Sequence, residues 1–129
     1  MSWSEVLLAL LLSHAAGDVL LQTDWQALNK VRGLSDPLGR SALVQHIATY
    51  TLAFIPALVW IGLNTSAGRA VAVAAIVSVP HLLIDDGRLV RGWLHEVKGA
   101  KQPGMGLTIA VDQVFHALVL LGAALLAAG

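Results

Sequence analysis

The sequence predicts an all-α polytopic membrane protein: a single transmembrane domain over residues 1–129, built as a four-transmembrane-helix bundle with both termini on the non-cytoplasmic side. Three observations predict it. First, 57% of the residues are hydrophobic and only 12% charged, with mean hydropathy +0.73, against roughly 25% charged residues in a typical soluble domain. A chain this short cannot hide so much apolar surface from water, whereas lipid removes the need. Second, four segments, at about 3–21, 41–63, 67–84 and 107–128, are long enough to cross a hydrocarbon core of about 30 Å at 1.5 Å per residue. Third, the basic residues are unevenly placed. Lys30, Arg32 and Arg40 lie between the first two spans, and Arg88, Arg91, Lys98 and Lys101 between the last two, while the opposite side carries only Arg69. Excess Lys and Arg marks cytoplasmic loops, so both longer connections are placed inside.

The first span resembles a signal peptide only superficially. It lacks a basic leader, Glu5 precedes the apolar run, and His14 and Asp18 interrupt it. Ser2 and Glu5 have the spacing of a capping box, which suits a retained helix. Gln22 and Asp24 follow as candidate mouth residues of a site, with Trp25 and Lys30 read as interfacial anchors. Asp36-Pro37-Leu38-Gly39 reads as a turn. Pro56 in span two and Pro80 near the end of span three each remove a backbone donor and are candidate kinks. Asn64-Thr65-Ser66 closes a tight antiparallel hairpin between those spans. The third span is rich in β-branched residues, but an open strand in lipid leaves its backbone unpaired, so a helix is expected. Residues 88–98 place Val90, Leu94 and Val97 on one stripe, which suits a short interfacial helix or a loop.

Ionisable groups inside membrane spans are costly and usually face the bundle interior. Here they are His14, Asp18, His46, His81, Asp85, Asp112 and His116. His14 and Asp18, His81 and Asp85, and Asp112 and His116 are each four residues apart, so each pair shares a helix face; His46 and Tyr50 repeat the spacing. All lie toward the cytoplasmic ends of their spans, which places four helices' polar groups in one layer. Imidazole and carboxylate donors without any cysteine suit zinc, manganese or iron, held as one or two divalent ions. Asp18, Asp85 and Asp112 are the candidate catalytic carboxylates, acting as ligand, bridge or general base. The bland alternative is a His–Asp hydrogen-bond network that joins the helices without metal. His95 is read as a solvated loop residue, and Asp86 with Gly87 as the end of a helix.

The run His14-Ala15-Ala16-Gly17-Asp18-Val19-Leu20-Leu21-Gln22-Thr23-Asp24-Trp25 with Lys30 after it, then His46, His81-Leu82-Leu83-Ile84-Asp85, and Asp112-Gln113-Val114-Phe115-His116, resembles the bacterial membrane domain-of-unknown-function family numbered 3307. The resemblance covers nearly the whole chain; Val19 departs from an aromatic residue common in the family after the Asp. It implies a multi-pass protein of the bacterial inner (cytoplasmic) membrane. The blocks are also distantly similar to predicted membrane-bound metal-dependent hydrolases, which raises hydrolysis of a lipid or lipid-linked ester. Against a phosphate substrate stands the absence of a basic residue among the site positions, with Arg88 and Arg91 left to reach back from a loop.

Other classes stay open. Transport of divalent cations or protons needs access from both faces, and the apolar outward halves of the spans then require a homo-oligomer. Haem binding through paired histidines is a third reading, and a non-catalytic structural or partner-binding subunit a fourth. Membrane lipid is the expected surrounding partner. The chain's zero formal net charge offers nothing to a nucleic acid.

Overall fold

The computed structural model describes residues 1–129 as an all-helical bundle. Helix α1 (Trp3–Ala15) starts from the expected capping box, Ser2 Oγ accepting from the Glu5 amide while Glu5 accepts from the Ser2 amide. It continues into one π-helical turn, Ala16–Leu20, in which the Leu21 amide reaches back five residues to the Ala16 carbonyl. Helix α2 (Asp24–Lys30) follows, capped by Thr23 and Gln26. Helix α3 is Pro37–Ala53, α4 Ile55–Asn64, α5 Ala67–Asp85, α6 Arg88–Gly92 with a π-helical turn at Trp93–Val97, and α7 Met105–Ala128.

Three helical segments, Trp3–Leu20, Ala67–Asp85 and Met105–Ala128, are long and apolar enough to cross a membrane; α3 and α4 make a fourth if they are one span bent by 48°. The bend has a local cause. Pro56 has no amide to give the Leu52 carbonyl, and α3 breaks at Phe54. Pro80, the other candidate kink, leaves α5 continuous. Large apolar side chains such as Leu8, Leu12, Leu63, Val71 and Leu118 stand exposed around the bundle, a surface consistent with a multi-pass membrane protein.

Inside, α1 packs on α7, α7 on α5, and α5 on α3 and α4, which closes the ring back to α1. The ring has two halves. At one end Val6, Leu10, Phe54, Ile61, Val73, Val77 and Leu120 fill an apolar core with small Ala123, Ala124 and Ala127. At the other end the interior holds the histidines and aspartates beside a small apolar cluster of Ile84, Val90 and Leu94.

Two sequence expectations change here. Asp36-Pro37 is a helix start rather than a turn: Asp36 accepts from the Leu38 and Gly39 amides, both at 2.9 Å, and Pro37 opens α3 four residues before the expected boundary. Arg32 pairs with Asp36 at 2.9 Å and holds that carboxyl below the usual carboxylate range. Trp25 and Lys30, expected as interfacial anchors, fall within helix α2, which packs on α3. Asp86 does end α5, with Gly87 in the left-handed region at φ 78°. Its buried carboxylate also accepts from the Leu34 amide at 2.6 Å and pairs with Arg88 at 3.0 Å, tying the two long connections together.

Replacing Asp86 by Ala leaves the Leu34 amide without that partner and is expected to cost about 1–3 kcal/mol. Thermal unfolding in detergent reads that loss, with faster proteolysis at residues 31–36. An unchanged midpoint and cleavage rate contradict the tie.

Candidate metal centre

Each element delivers its polar residues to one level. His14 ends α1, and the π-helical turn after it aims Asp18 at α3 and α5. His46 lies on the inner face of α3, and His81 and Asp85 end α5. Asp112 and His116 sit near the start of α7. The π turn can lie against α3 because residue 17 is Gly. A Cβ there meets Tyr50 Cδ2 at 2.7 Å and Tyr50 Cα at 3.2 Å.

Asp18, His46, His81 and Asp85 form a closed group with one donor atom each, all within 4.8 Å of one another. His46 Nε2 lies 3.1 Å from Asp18 Oδ1, 3.1 Å from His81 Nε2 and 3.2 Å from Asp85 Oδ2. His81 Nε2 lies 3.4 Å from Asp18 Oδ1 and 3.4 Å from Asp85 Oδ2. Four ligands held roughly 2.0–2.2 Å from a zinc ion stand roughly 3.3–3.6 Å apart, close to these separations. Hydrogen bonding alone does not account for them. Each imidazole carries at most one proton on Nε2, so the five approaches share at most two protons and the others have no hydrogen bond of their own. The opposite ring nitrogens, Nδ1 of His46 and of His81, are buried without a protein partner. A divalent cation satisfies every donor in the group at once. The same closeness argues against haem, because two imidazole nitrogens 3.1 Å apart leave no room for a porphyrin plane between them.

A second group comprises Asp85, Asp112 and His116. Asp85 therefore belongs to both.

His14 lies in neither group. Gln113 Oε1 can only accept, so His14 Nε2 donates to it at 3.1 Å, and Nδ1 then accepts from the Tyr50 hydroxyl at 3.1 Å. Its ring stacks on His116 with centroids 5.0 Å apart. Tyr50 in turn stacks on His81 at 3.6 Å and 10°, so it forms the floor between the polar and apolar halves. His95 is exposed and pairs only with Glu96.

Sequence reading missed Lys30, Gln113 and the depth of Tyr50's involvement. Lys30, expected as an anchor, donates to Asp85 Oδ2 at 2.7 Å. This corrects the expectation that no basic residue reaches the site. Its signal was its place at the end of the first family-like block, whereas Gln113 sat between two named residues with no spacing of its own to expose it. The site opens into a cavity of about 540 Å³ lined by Asp18, Gln22, Lys30, Arg91, Asp112 and Gln113, with apolar walls from Val19, Val31, Val90 and Ile109. Gln22, a candidate mouth residue, lies in that lining with its Oε1 buried and unpartnered. Asp24 instead opens α2 and Arg88 turns to Asp86.

The model of the family described as "Protein of unknown function (DUF3307)" matches residues 6–128. No curated protein and no solved structure matches the chain.

Gly17→Ala forces the added methyl onto Tyr50, an overpacking expected to cost about 1–3 kcal/mol. It should also displace Asp18 and lower metal retention through dialysis. Wild-type stability and retention in this variant contradict the close approach as drawn.

Proposed function

Because the chain belongs to the protein family of unknown function DUF3307, whose name carries no activity, we propose a function from the site: a metal-dependent hydrolase of a membrane lipid or lipid-linked phosphate ester. The observation that carries this reading is the group of Asp18, His46, His81 and Asp85, whose two imidazole nitrogens lie 3.1–3.4 Å from each other and from both carboxylates, buried beneath a cavity with basic residues and apolar walls. Zinc, manganese or iron fits its two nitrogen and two oxygen donors. On this reading the chain sits in the bacterial inner membrane with both termini outside and the site near the cytoplasmic face; the support is the gathering of Lys30, Arg32, Arg40, Arg88, Arg91, Lys98 and Lys101 on the two longer connections, as the positive-inside rule expects.

A divalent ion bound in the group would supply Lewis-acid chemistry toward the ester's phosphoryl oxygen and a nearby water. The protein's own residues do the rest. Asp18 and Asp85 hold the ion with His46 and His81. His14, fixed by Gln113 and Tyr50, positions the neighbouring His116 ring. Asp112, the more open carboxylate, orients the attacking water from the cavity side. Lys30 and Arg91 draw the anionic head group in, and Val19 and Ile109, both largely exposed at the cavity wall, pass its acyl chains to lipid. Water's oxygen joins phosphorus, the bond from phosphorus to the alcohol oxygen breaks, and the proton that the water loses leaves on the alcohol. The transport alternative is less well supported, since the buried apolar half beyond Tyr50 offers an ion no ligands.

The test is elemental analysis of protein purified in mild detergent without chelators. Metal should be bound by the wild type, lost from His81→Ala and His46→Ala in protein that still elutes as one folded species, and retained by His95→Ala. Absence of metal from folded wild type after remetallation sinks the reading. With a lipid phosphate monoester in mixed micelles, Lys30→Met should raise KM for phosphate release severalfold while metal content holds. An unchanged KM removes Lys30 from substrate binding.

A further inference from the structure

His116 is 2% exposed, and the two sides of its ring have different surroundings. Nδ1 lies 2.9 Å from the main-chain oxygen of Asp112. A carbonyl only accepts, so the proton is on Nδ1 and the neutral ring presents a bare lone pair at Nε2. That lone pair is buried and has no hydrogen-bond partner. It points toward Asp85 Oδ1 at 3.6 Å, itself an acceptor. Two facing lone pairs in a water-poor interior repel, and 3.6 Å is too long for a hydrogen bond even if the ring were protonated. A cation between them removes the conflict.

Asp85 divides its two oxygens. Oδ2 faces His46, His81 and Lys30, while Oδ1 faces His116. Asp112 lies against the same ring, its Oδ2 3.4 Å from His116 Nδ1, with a donor atom within 4.8 Å of those of Asp85 and His116, and its Oδ2 accepts from Gln113 Nε2 at 3.1 Å. We infer that Asp85, Asp112 and His116 form a second divalent-cation position, so that Asp85 bridges two ions. This rests on the metal reading of the first group. It extends that reading from a single Lewis acid to a pair able to hold both the attacking and the leaving oxygen of a phosphate ester.

Charge supports the pairing. Asp18, Asp85 and Asp112 carry three negative charges, and Lys30 returns one. One divalent ion leaves this set neutral, whereas two leave it positive and able to draw in an anionic phosphate.

The experiment loads chelator-stripped full-length protein in detergent with Mn²⁺ alone and reads bound equivalents by elemental analysis and coupling by electron paramagnetic resonance. The expected wild type binds two equivalents with a spin-coupled spectrum. His116→Ala should hold one equivalent with an uncoupled six-line spectrum, and His116→Gln gives the same reading should the Ala variant fail to fold. Asp85→Asn should lose the coupled pair. One equivalent in the wild type, unchanged in folded His116→Ala or His116→Gln but lost in His46→Ala, overturns the second position and leaves the first intact. Two uncoupled ions overturn the bridge. No bound Mn²⁺ in folded wild type overturns this inference and the underlying reading together.

Discussion

Asp85 is a carboxylate buried where four helices meet, and the arrangement around it follows from the cost of putting it there. An isolated ionised carboxylate in a water-poor interior is strongly unfavourable, and only nearby positive charge or donors offset that cost. Lys30 comes from α2, His46 from α3 and His81 from the preceding turn of α5, all within 2.7–3.4 Å of its Oδ2, while His116 on α7 faces Oδ1 at 3.6 Å with no hydrogen bond between them. The first three helices are thus held to the same point. Asp18, delivered by the π-helical turn, adds a second negative charge beside the same imidazoles and deepens the deficit of positive charge. A cation bound among them would serve as both a structural tie and a chemical reagent.

The two halves of the bundle divide the labour. Beyond Tyr50 the interior is apolar and closely filled, with alanines on α7 allowing its neighbours near. That half supplies a rigid base on which the polar half is built. Tyr50 belongs to both, stacking on His81 and hydrogen-bonding His14 while its ring joins the apolar core. The helix ends that carry Asp18 and Asp85 are also where the long connections start, and Asp86 fastens those connections to each other. The cavity mouth is therefore framed by backbone held through side-chain bonds rather than by freely hanging loops.

The membrane-helix architecture was legible in the sequence because composition and span length are properties of the chain itself. The histidines and aspartates were legible for a related reason. A charged or imidazole side chain among leucines and alanines needs an explanation, and the repeated spacing of four put each pair on one face. Helix starts were less visible. Asp36-Pro37 has the composition of a turn and of an N-cap alike, and only the amides of Leu38 and Gly39 distinguish them. Lys30 was obscured because a lysine five residues after Trp25 at a span's end is ordinary interfacial composition. Its partner lies 55 residues away in the chain.

By itself, then, the sequence determined that this chain forms apolar helices carrying seven ionisable groups at helical spacing, because hydrophobicity and periodicity act locally along the chain. Only the tertiary structure decided which of those groups meet. Asp18, His46, His81 and Asp85 close into one group, Asp112 and His116 join Asp85 in another, and His14 turns aside to Gln113 and Tyr50. Helix rotation, the width of one π-helical turn and the missing Cβ of Gly17 set those distances. They are facts of packing between elements remote in sequence, and a spacing of four residues carries no information about the helix on the other side.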